Sequence, residues 1–385
     1  MHRVYCDANA TTPLLPEVIE AMHPYWMEDF GNASSIHQQG QKARKAVDRA
    51  RETLAAFFQC REAEVVFNSG GTEGDNTAIF GLLRPGDHLI TTSIEHSAVL
   101  RAADRVAARG VDVTFVAPRA DGLIDLETIR QALRPTTRLI SVMLANNETG
   151  VLQPVEEIGK IAADAGAFFH IDAVQGAGKV PFDVRRFGCH LCSISAHKMH
   201  GPKGVGAMYV RRGTPLEPLI VGGSHERRQR AGTQNVPGIV GMGKAAALAT
   251  ETLQNGTIDR VAALRDRLEA GILRIEGTGV NGAGAPRAAN TTNIRFAQVE
   301  GEALVIALDL KGVAVSGGSA CHSGSTEPSH VLMAMGLDKH AALASLRFSL
   351  LKTATDVDVD HVLRAVPEAV EHLRALAPEV AGTRG

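Results

Sequence analysis

Short apolar runs alternate with longer amphipathic stretches through the first part of the chain. The runs at residues 64–67, 88–92, 111–116, 137–144, 167–172, 190–195 and 205–210 are strand-like. The intervening stretches at 73–83, 97–109, 125–133 and 155–165 carry helical periodicity. Strands alternating with helices predict an α/β fold: a mainly parallel seven-stranded sheet with helices on both faces. Ahead of it, residues 1–15 read as an extended arm with turn residues at 7–13. A helix is expected over 16–27, a loop over 31–35 and a long amphipathic helix over 40–58.

Beyond Gly243 the rhythm changes. One long Ala/Leu-rich helix is expected over 244–275, then strands at 292–296, 313–315 and 345–350 and helices at 302–310, 330–335 and 357–376. Thr355-Asp356-Val357-Asp358 has the spacing of a capping box. We expect a large domain over 16–254, and a smaller α+β domain built from 1–15 and 255–385.

Composition narrows this picture only at a few points. The chain is 44% hydrophobic but 4% aromatic, so its core is expected to be aliphatic. Net charge is −2, and the densest basic run, Arg227-Arg228-Gln229-Arg230, sits among polar residues as a solvated or subunit-facing loop. Nucleic acid is therefore not expected as a direct partner. No apolar leader and no membrane-length run is visible, which points to the cytoplasm. Five cysteines in such a chain suit reduced thiols. Cys189 and Cys192 are formally CxxC, but residues three apart on a strand face opposite ways, which excludes a zinc or thioredoxin-like reading. Cys6 and Cys60 read as bystanders.

Candidate chemistry clusters where strands end, which is where open α/β sheets bind ligands. Ser69-Gly70-Gly71-Thr72-Glu73 joins a strand to a helix, so it can cradle a phosphate on backbone N–H groups or be a plain turn. It matches neither common nucleotide fingerprint, which sets aside a nucleotide-binding dehydrogenase. His96 can stack on a planar ring or act as acid or base. Asn146-Asn147 can donate amide hydrogen bonds or simply turn the chain. Asp172 can hold a ring nitrogen protonated or cap a helix. Lys198 can form a Schiff base or be a solvated loop lysine. Taken together, cradle, stacker, acid and lysine match pyridoxal 5'-phosphate. Separately, Cys321 lies in Ser316-Gly317-Gly318-Ser319-Ala320-Cys321-His322-Ser323-Gly324-Ser325, too Gly/Ser-rich for a buried core, and is a reactive-thiol candidate.

These stretches, with Tyr5-Cys6-Asp7-Ala8-Asn9-Ala10-Thr11-Thr12-Pro13, Gly31-Asn32-Ala33-Ser34-Ser35, Arg230-Ala231-Gly232-Thr233 and Leu346-Arg347-Phe348-Ser349, run nearly end to end. In them the chain resembles the cysteine desulfurases of the NifS/IscS type, within the class V, fold-type I pyridoxal-phosphate enzymes. The resemblance implies a transferase that converts L-cysteine to L-alanine and leaves the sulfur on Cys321 as a persulfide. It implies that Lys198 holds the cofactor covalently and then moves the Cα proton, and that Asp172 pairs with the ring nitrogen. Gln175 would bond the ring hydroxyl, His96 would stack on the ring, and Asn147 would lie beside cofactor and substrate. Gly71, Thr72, Ser195 and His197 would hold the phosphate, joined by Thr233 from the other subunit of a homodimer. Arg347 would bind the substrate carboxylate.

It further implies a sulfur acceptor, an iron–sulfur scaffold protein or another, and Cys321 as a transient iron–sulfur ligand. The chain departs from the family at Ala33, where Pro is usual, at Gly71 and Gly74, where Ala and Ser are frequent, and at His322, where Thr is common. Two other readings stay open at this point. One is a selenocysteine lyase or another class V lyase; the other is a sulfur-relay or scaffold subunit without strong catalysis.

Overall fold

Parity along the strands sets the layers. Val65 and Phe67 join one apolar cluster while Val66 joins another, and Ile140 and Leu139, Ile194 and Leu191, Tyr209 and Met208 divide the same way. These strands are thus buried on both faces, as a sheet covered by helices requires, while the edge strand Asp112–Val116 is partly exposed. The computed structural model describes residues 2–317 and 327–376. Its large sheet runs in the order Val65–Asn68, Gly206–Val210, Leu191–Ser195, Phe168–Asp172, Thr137–Ser141, His88–Thr92, Asp112–Val116. Gly206–Val210 is antiparallel to both neighbours and every other pairing is parallel. The seven-stranded, mainly parallel α/β sheet expected from the sequence is therefore present.

Helices Gly71–Leu82 and Ser97–Ala107 cover one face; Gln38–Phe58, Val155–Asp164 and Val236–Gln254 cover the other. Near the carboxyl ends, the face beneath Gly71–Leu82 turns polar. Ser141, His170, Asp172, Ser193 and Ser195 share the parity of Leu139, Phe168 and Leu191 there. A buried polar row of this kind needs internal partners, and it marks the side on which the site is built.

A second, four-stranded antiparallel sheet has the order Ser316–Gly317, Ser345–Ser349, Thr291–Phe296, Thr278–Val280. Helices Thr257–Ile272, Gly301–Leu310 and Asp356–Leu376 pack on it around its own apolar cluster. The chain start returns here, since Val4–Tyr5 pairs in parallel with Val313–Ala314. The capping box forms as expected: Thr355 N donates to Asp358 Oδ2 at 2.8 Å and Asp358 N to Thr355 Oγ1 at 3.4 Å.

Three expectations are corrected. The helix expected over 16–27 is two, Pro16–Met22 and Pro24–Met27, because Pro24 has no N–H to carry the ladder onward. The helix expected over 244–275 is also two, Val236–Gln254 and Thr257–Ile272, divided at Asn255 and Gly256, whose φ of 79° is left-handed. Cys189 and Cys192 do not face opposite ways, for both sit in the same apolar cluster. Cys189 precedes the strand, after a left-handed turn at Gly188 with φ 67°, so strand alternation does not reach back to it. Both are free thiols, and among the described residues no group of three ligands could hold a metal ion.

Candidate active site

The carboxyl ends of four parallel strands and the start of helix Gly71–Leu82 open into one cavity of about 300 Å³. Gly71, Thr72, His96, Asn147, Asp172, Gln175, Ser195, His197, Lys198 and Arg347 all line it. Thr233 does not; it is exposed on a separate loop. Cys321 and His322 lie outside the described residues.

The helix start is bare on the cavity side. Gly70 has φ 147°, and no side chain caps the helix; Asn68 Oδ1 accepts from Gly70 N at 3.0 Å. Gly206 passes so close that a Cβ there would lie 2.6 Å from Gly70 Cα. First-turn N–H groups left uncapped favour an anion.

Lys198 emerges just beyond Leu191–Ser195. Its Nζ donates to the backbone carbonyls of Asn9 at 2.5 Å and Ala10 at 2.8 Å. His197 Nδ1 meets Thr11 Oγ1 at 3.0 Å. Burial, then the charges of Lys198, Lys203 and Lys179, push His197 down to about 4, so it is neutral at physiological pH. His96 caps helix Ser97–Ala107, its Nδ1 accepting from Ala98 N at 3.1 Å, which leaves any ring proton on Nε2.

Asp172 is 5% exposed and accepts from Val174 N at 2.9 Å. Burial raises its pKa against the pull of His96 and Lys198. Beside it the structure places an acid that sequence reasoning missed. Asp75 lines the cavity at 1% exposure, and its Oδ1 has no hydrogen-bond partner among the described residues. That oxygen lies 3.5 Å from His170 Nε2, and His170 also meets Ser141 Oγ at 2.9 Å and Ser193 Oγ at 3.0 Å. Burial lowers His170 to about 3; burial, then Asp172, raises Asp75 well above the usual carboxylate range. Glu95 is a further buried acid, held by Thr92 Oγ1 and Met143 N and pushed up to about 8 by burial.

Arg347 is 2% exposed; it donates to Asn147 O at 2.9 Å and to Asp7 Oδ1 at 2.6 Å. The arm at 7–13, read from sequence only as a turn, thus reaches the cavity through Asn9 and Ala10. Its density of polar residues was a usable signal; Asp75, on a helix face, had none. The basic run is exposed at Arg227 and Arg228, as expected of a solvated loop, but it is tied down. Arg230 pairs with Glu73 at 2.9 Å, and Arg227 donates to Glu62 O and Val65 O. Glu226, Arg227 and Arg228 are left-handed at φ 44°, 55° and 67°, and Glu226 is clamped by Arg51 at 2.7 and 2.8 Å.

The carboxyl-end cavity is common to many α/β enzymes, and comparison with known proteins separates them. Residues 4–362 match the Aminotransferase class-V family. A protein called cysteine desulfurase from Bradyrhizobium diazoefficiens is 49% identical over 376 residues, 97% of this chain and 95% of that protein. The chain belongs to the cysteine desulfurases of the aminotransferase class-V family. Cysteine desulfurase IscS of Methanosarcina thermophila is 47% identical over 379 residues, covering 97% of this chain and 94% of that protein. A solved structure of a NifS-like protein superposes with a TM-score of 0.90 at 36% identity, over 97% of this chain and 100% of that one. Another, described as SspA in complex with cysteine, gives 0.80 at 35% identity over 90% of this chain and 98% of that one. The fold class and family expected from the sequence both hold.

Proposed function

We propose that this cysteine desulfurase uses pyridoxal 5'-phosphate to convert L-cysteine to L-alanine and places the sulfur on Cys321 as a persulfide. The observation that carries the reading is the meeting of Lys198, Asp172 and the uncapped start of helix Gly71–Leu82 in one cavity. An amine for the aldehyde, a buried acid for the ring nitrogen and a backbone anion site for the phosphate fit that cofactor. When bound, pyridoxal phosphate supplies a ring that takes up the electrons left behind as a Cα proton departs.

The chain's own residues do the rest. Gly71, Thr72, Ser195 and His197 hold the phosphate, His96 stacks on the ring and Asp172 keeps a proton at its nitrogen. Gln175 donates Nε2 toward the ring hydroxyl. Arg347 and Asn147 orient the substrate, the guanidinium gripping the carboxylate. Lys198 Nζ, released from its contacts with the arm, takes the Cα proton. The Cys321 thiolate then attacks the substrate sulfur. An S–S bond forms, the C–S bond breaks, and its electron pair stays with the carbon that becomes the methyl group of alanine.

The same reading assigns 16–254 to cofactor binding, and 1–15 with 255–385 to a smaller domain carrying Cys321. It makes the enzyme a homodimer, with Thr233 completing the partner's phosphate site. Exposed Trp26, Met27, Phe30, Ile36 and Val221 support a subunit interface. The acceptor is an iron–sulfur scaffold protein or another thiol carrier, Cys321 serving as a transient cluster ligand, and the setting is the cytoplasm. Among the described residues no helix is long and apolar enough to cross a membrane.

The test pairs two variants. Cys321→Ala is expected to keep the cofactor's visible absorbance and to form no persulfide from cysteine; full turnover in it would sink the sulfur assignment. Lys198→Ala is expected to lose borohydride-trapped cofactor, and trapping on another lysine would sink the anchor.

A further inference from the structure

Lys179 has no place in the chemistry above, yet it touches two residues of the cavity wall. It sits in the turn after Gln175, following Gly178 at φ 73°. Its Nζ lies 2.7 Å from Gln175 Oε1 and 2.9 Å from Asn9 Oδ1. Its charged neighbours are cations: burial, then Lys198 and Arg347, push its pKa well below the ordinary lysine range. Together with Lys198, His200 and Lys352 it lines a second cavity of about 50 Å³, which shares Lys198 with the first. An amine in such surroundings is costly to keep unless its contacts do something.

Those contacts decide the direction of two amides. The oxygen and nitrogen ends of Gln and Asn are nearly the same shape, so their partners set the orientation. Lys179 needs only two N–H bonds for its two acceptors, and an amine has two whether or not it holds a third proton. Facing that donor, Gln175 turns Oε1 back and Nε2 forward, where Nε2 now meets Asn9 O at 2.8 Å. Asn9 likewise turns Oδ1 to Lys179, where Asn290 Nδ2 also donates at 3.2 Å, and Nδ2 to Asn147 O at 3.1 Å and Thr291 Oγ1 at 2.9 Å. Asn9 is 2% exposed, and its carbonyl also receives Lys198 Nζ. One amine therefore ties the 7–13 arm, the 172–179 turn and the base of the candidate site together.

We infer that Lys179 is a positioning residue for the desulfurase: by donating to Gln175 and Asn9 it holds Gln175 as a hydrogen-bond donor toward an acceptor oxygen in the cavity and pins the 7–13 arm. This rests on the cofactor reading of the cavity, but half of its test does not need the cofactor.

The experiment compares Lys179→Met, Gln175→Ala and the double variant with the wild-type chain. In cofactor-free Lys179→Met, amide hydrogen exchange across residues 7–13 should quicken by about tenfold, the scale of one lost buried hydrogen bond. With pyridoxal phosphate added, the pH midpoint of its bound visible absorbance should shift as it does in Gln175→Ala. The double variant should shift no further, because Lys179 acts on the midpoint through Gln175. Unchanged exchange in the arm, an unchanged midpoint, or shifts that add in the double variant would each overturn the inference. Should Lys179→Met fail to fold, Gln175→Glu serves. It keeps an acceptor for Lys179 but loses the Nε2 donor that meets both the cavity and Asn9 O, so it should shift the midpoint, and a wild-type midpoint would overturn the inference. A wild-type chain that binds no pyridoxal phosphate would instead sink the reading of the site, and the arm exchange would still decide what Lys179 does.

Discussion

Arg347 reaches Asp7 across 2.6 Å, so the guanidinium expected to meet a substrate carboxylate is already oriented by a carboxylate from the opposite end of the chain. The other terminal nitrogen is spent on Asn147 O, and Nε is buried with no hydrogen-bond partner among the described residues. A planar fork can serve both contacts and still face the cavity; an ammonium cannot. Arg347→Lys should raise KM for cysteine by about tenfold or more while leaving the cofactor's absorbance unchanged. Steady-state kinetics decide it, and an unaltered KM would remove Arg347 from substrate binding.

Asp7 itself should matter to stability. Asp7→Ala strips a nearly buried arginine of its counter-charge, and breaking such a pair costs about 3 kcal/mol. Urea unfolding of the cofactor-free protein measures it. A change below about 0.5 kcal/mol would place the pair in the range of solvated surface bridges.

Glu95 gives a pH signature. Burial raises it to about 8 in the folded chain, from an ordinary value of 4.5. Between those values the folded state holds a proton that the unfolded state has released. Its contribution is therefore full below pH 4.5 and is lost as pH rises toward 8. Glu95→Gln should remove that loss, up to roughly 1.4 kcal/mol per pH unit within the window. Thermal melts across this pH range would show a flatter curve for the variant; parallel curves would contradict the assignment.

Gly206 is fixed by what surrounds it. A Cβ there would meet Asn68 Oδ1 and Gly70 Cα at 2.6 Å and Ile194 O at 2.7 Å. Backbone on two sides cannot give way as a side-chain tip can. Gly206→Ala should cost about 1–3 kcal/mol and should weaken cofactor binding by displacing the Gly70 turn. Wild-type affinity in a destabilised variant would separate the strand from the cradle.

Most of the architecture was legible because it is periodic. Strand-like runs that close in turn residues put Gly71, His96, Asn147, Asp172 and Lys198 at the carboxyl ends of one sheet. What stayed hidden depends on tertiary packing. Asp75 reads as one more polar helix residue until His170, Ser141 and Ser193 are seen beside it. Lys179 reads as a loop lysine until Asn9 arrives from 170 positions away. The breaks at Pro24 and Gly256 were readable from residue type alone; the apolar pattern running through them overrode that signal. Cys189 lies ahead of the strand Leu191–Ser195, so strand alternation does not predict its direction.

The left-handed run at Glu226, Arg227 and Arg228 has a consequence for assembly. Consecutive residues in that region are disfavoured, and here the Arg51 clamp on Glu226 stabilises them within a single chain. In the proposed homodimer, the segment leading to exposed Thr233 would therefore be shaped before the second subunit arrives. If two copies associate as proposed, they would meet as preformed surfaces, so association would lose little conformational entropy in this loop and should proceed without a slow ordering phase.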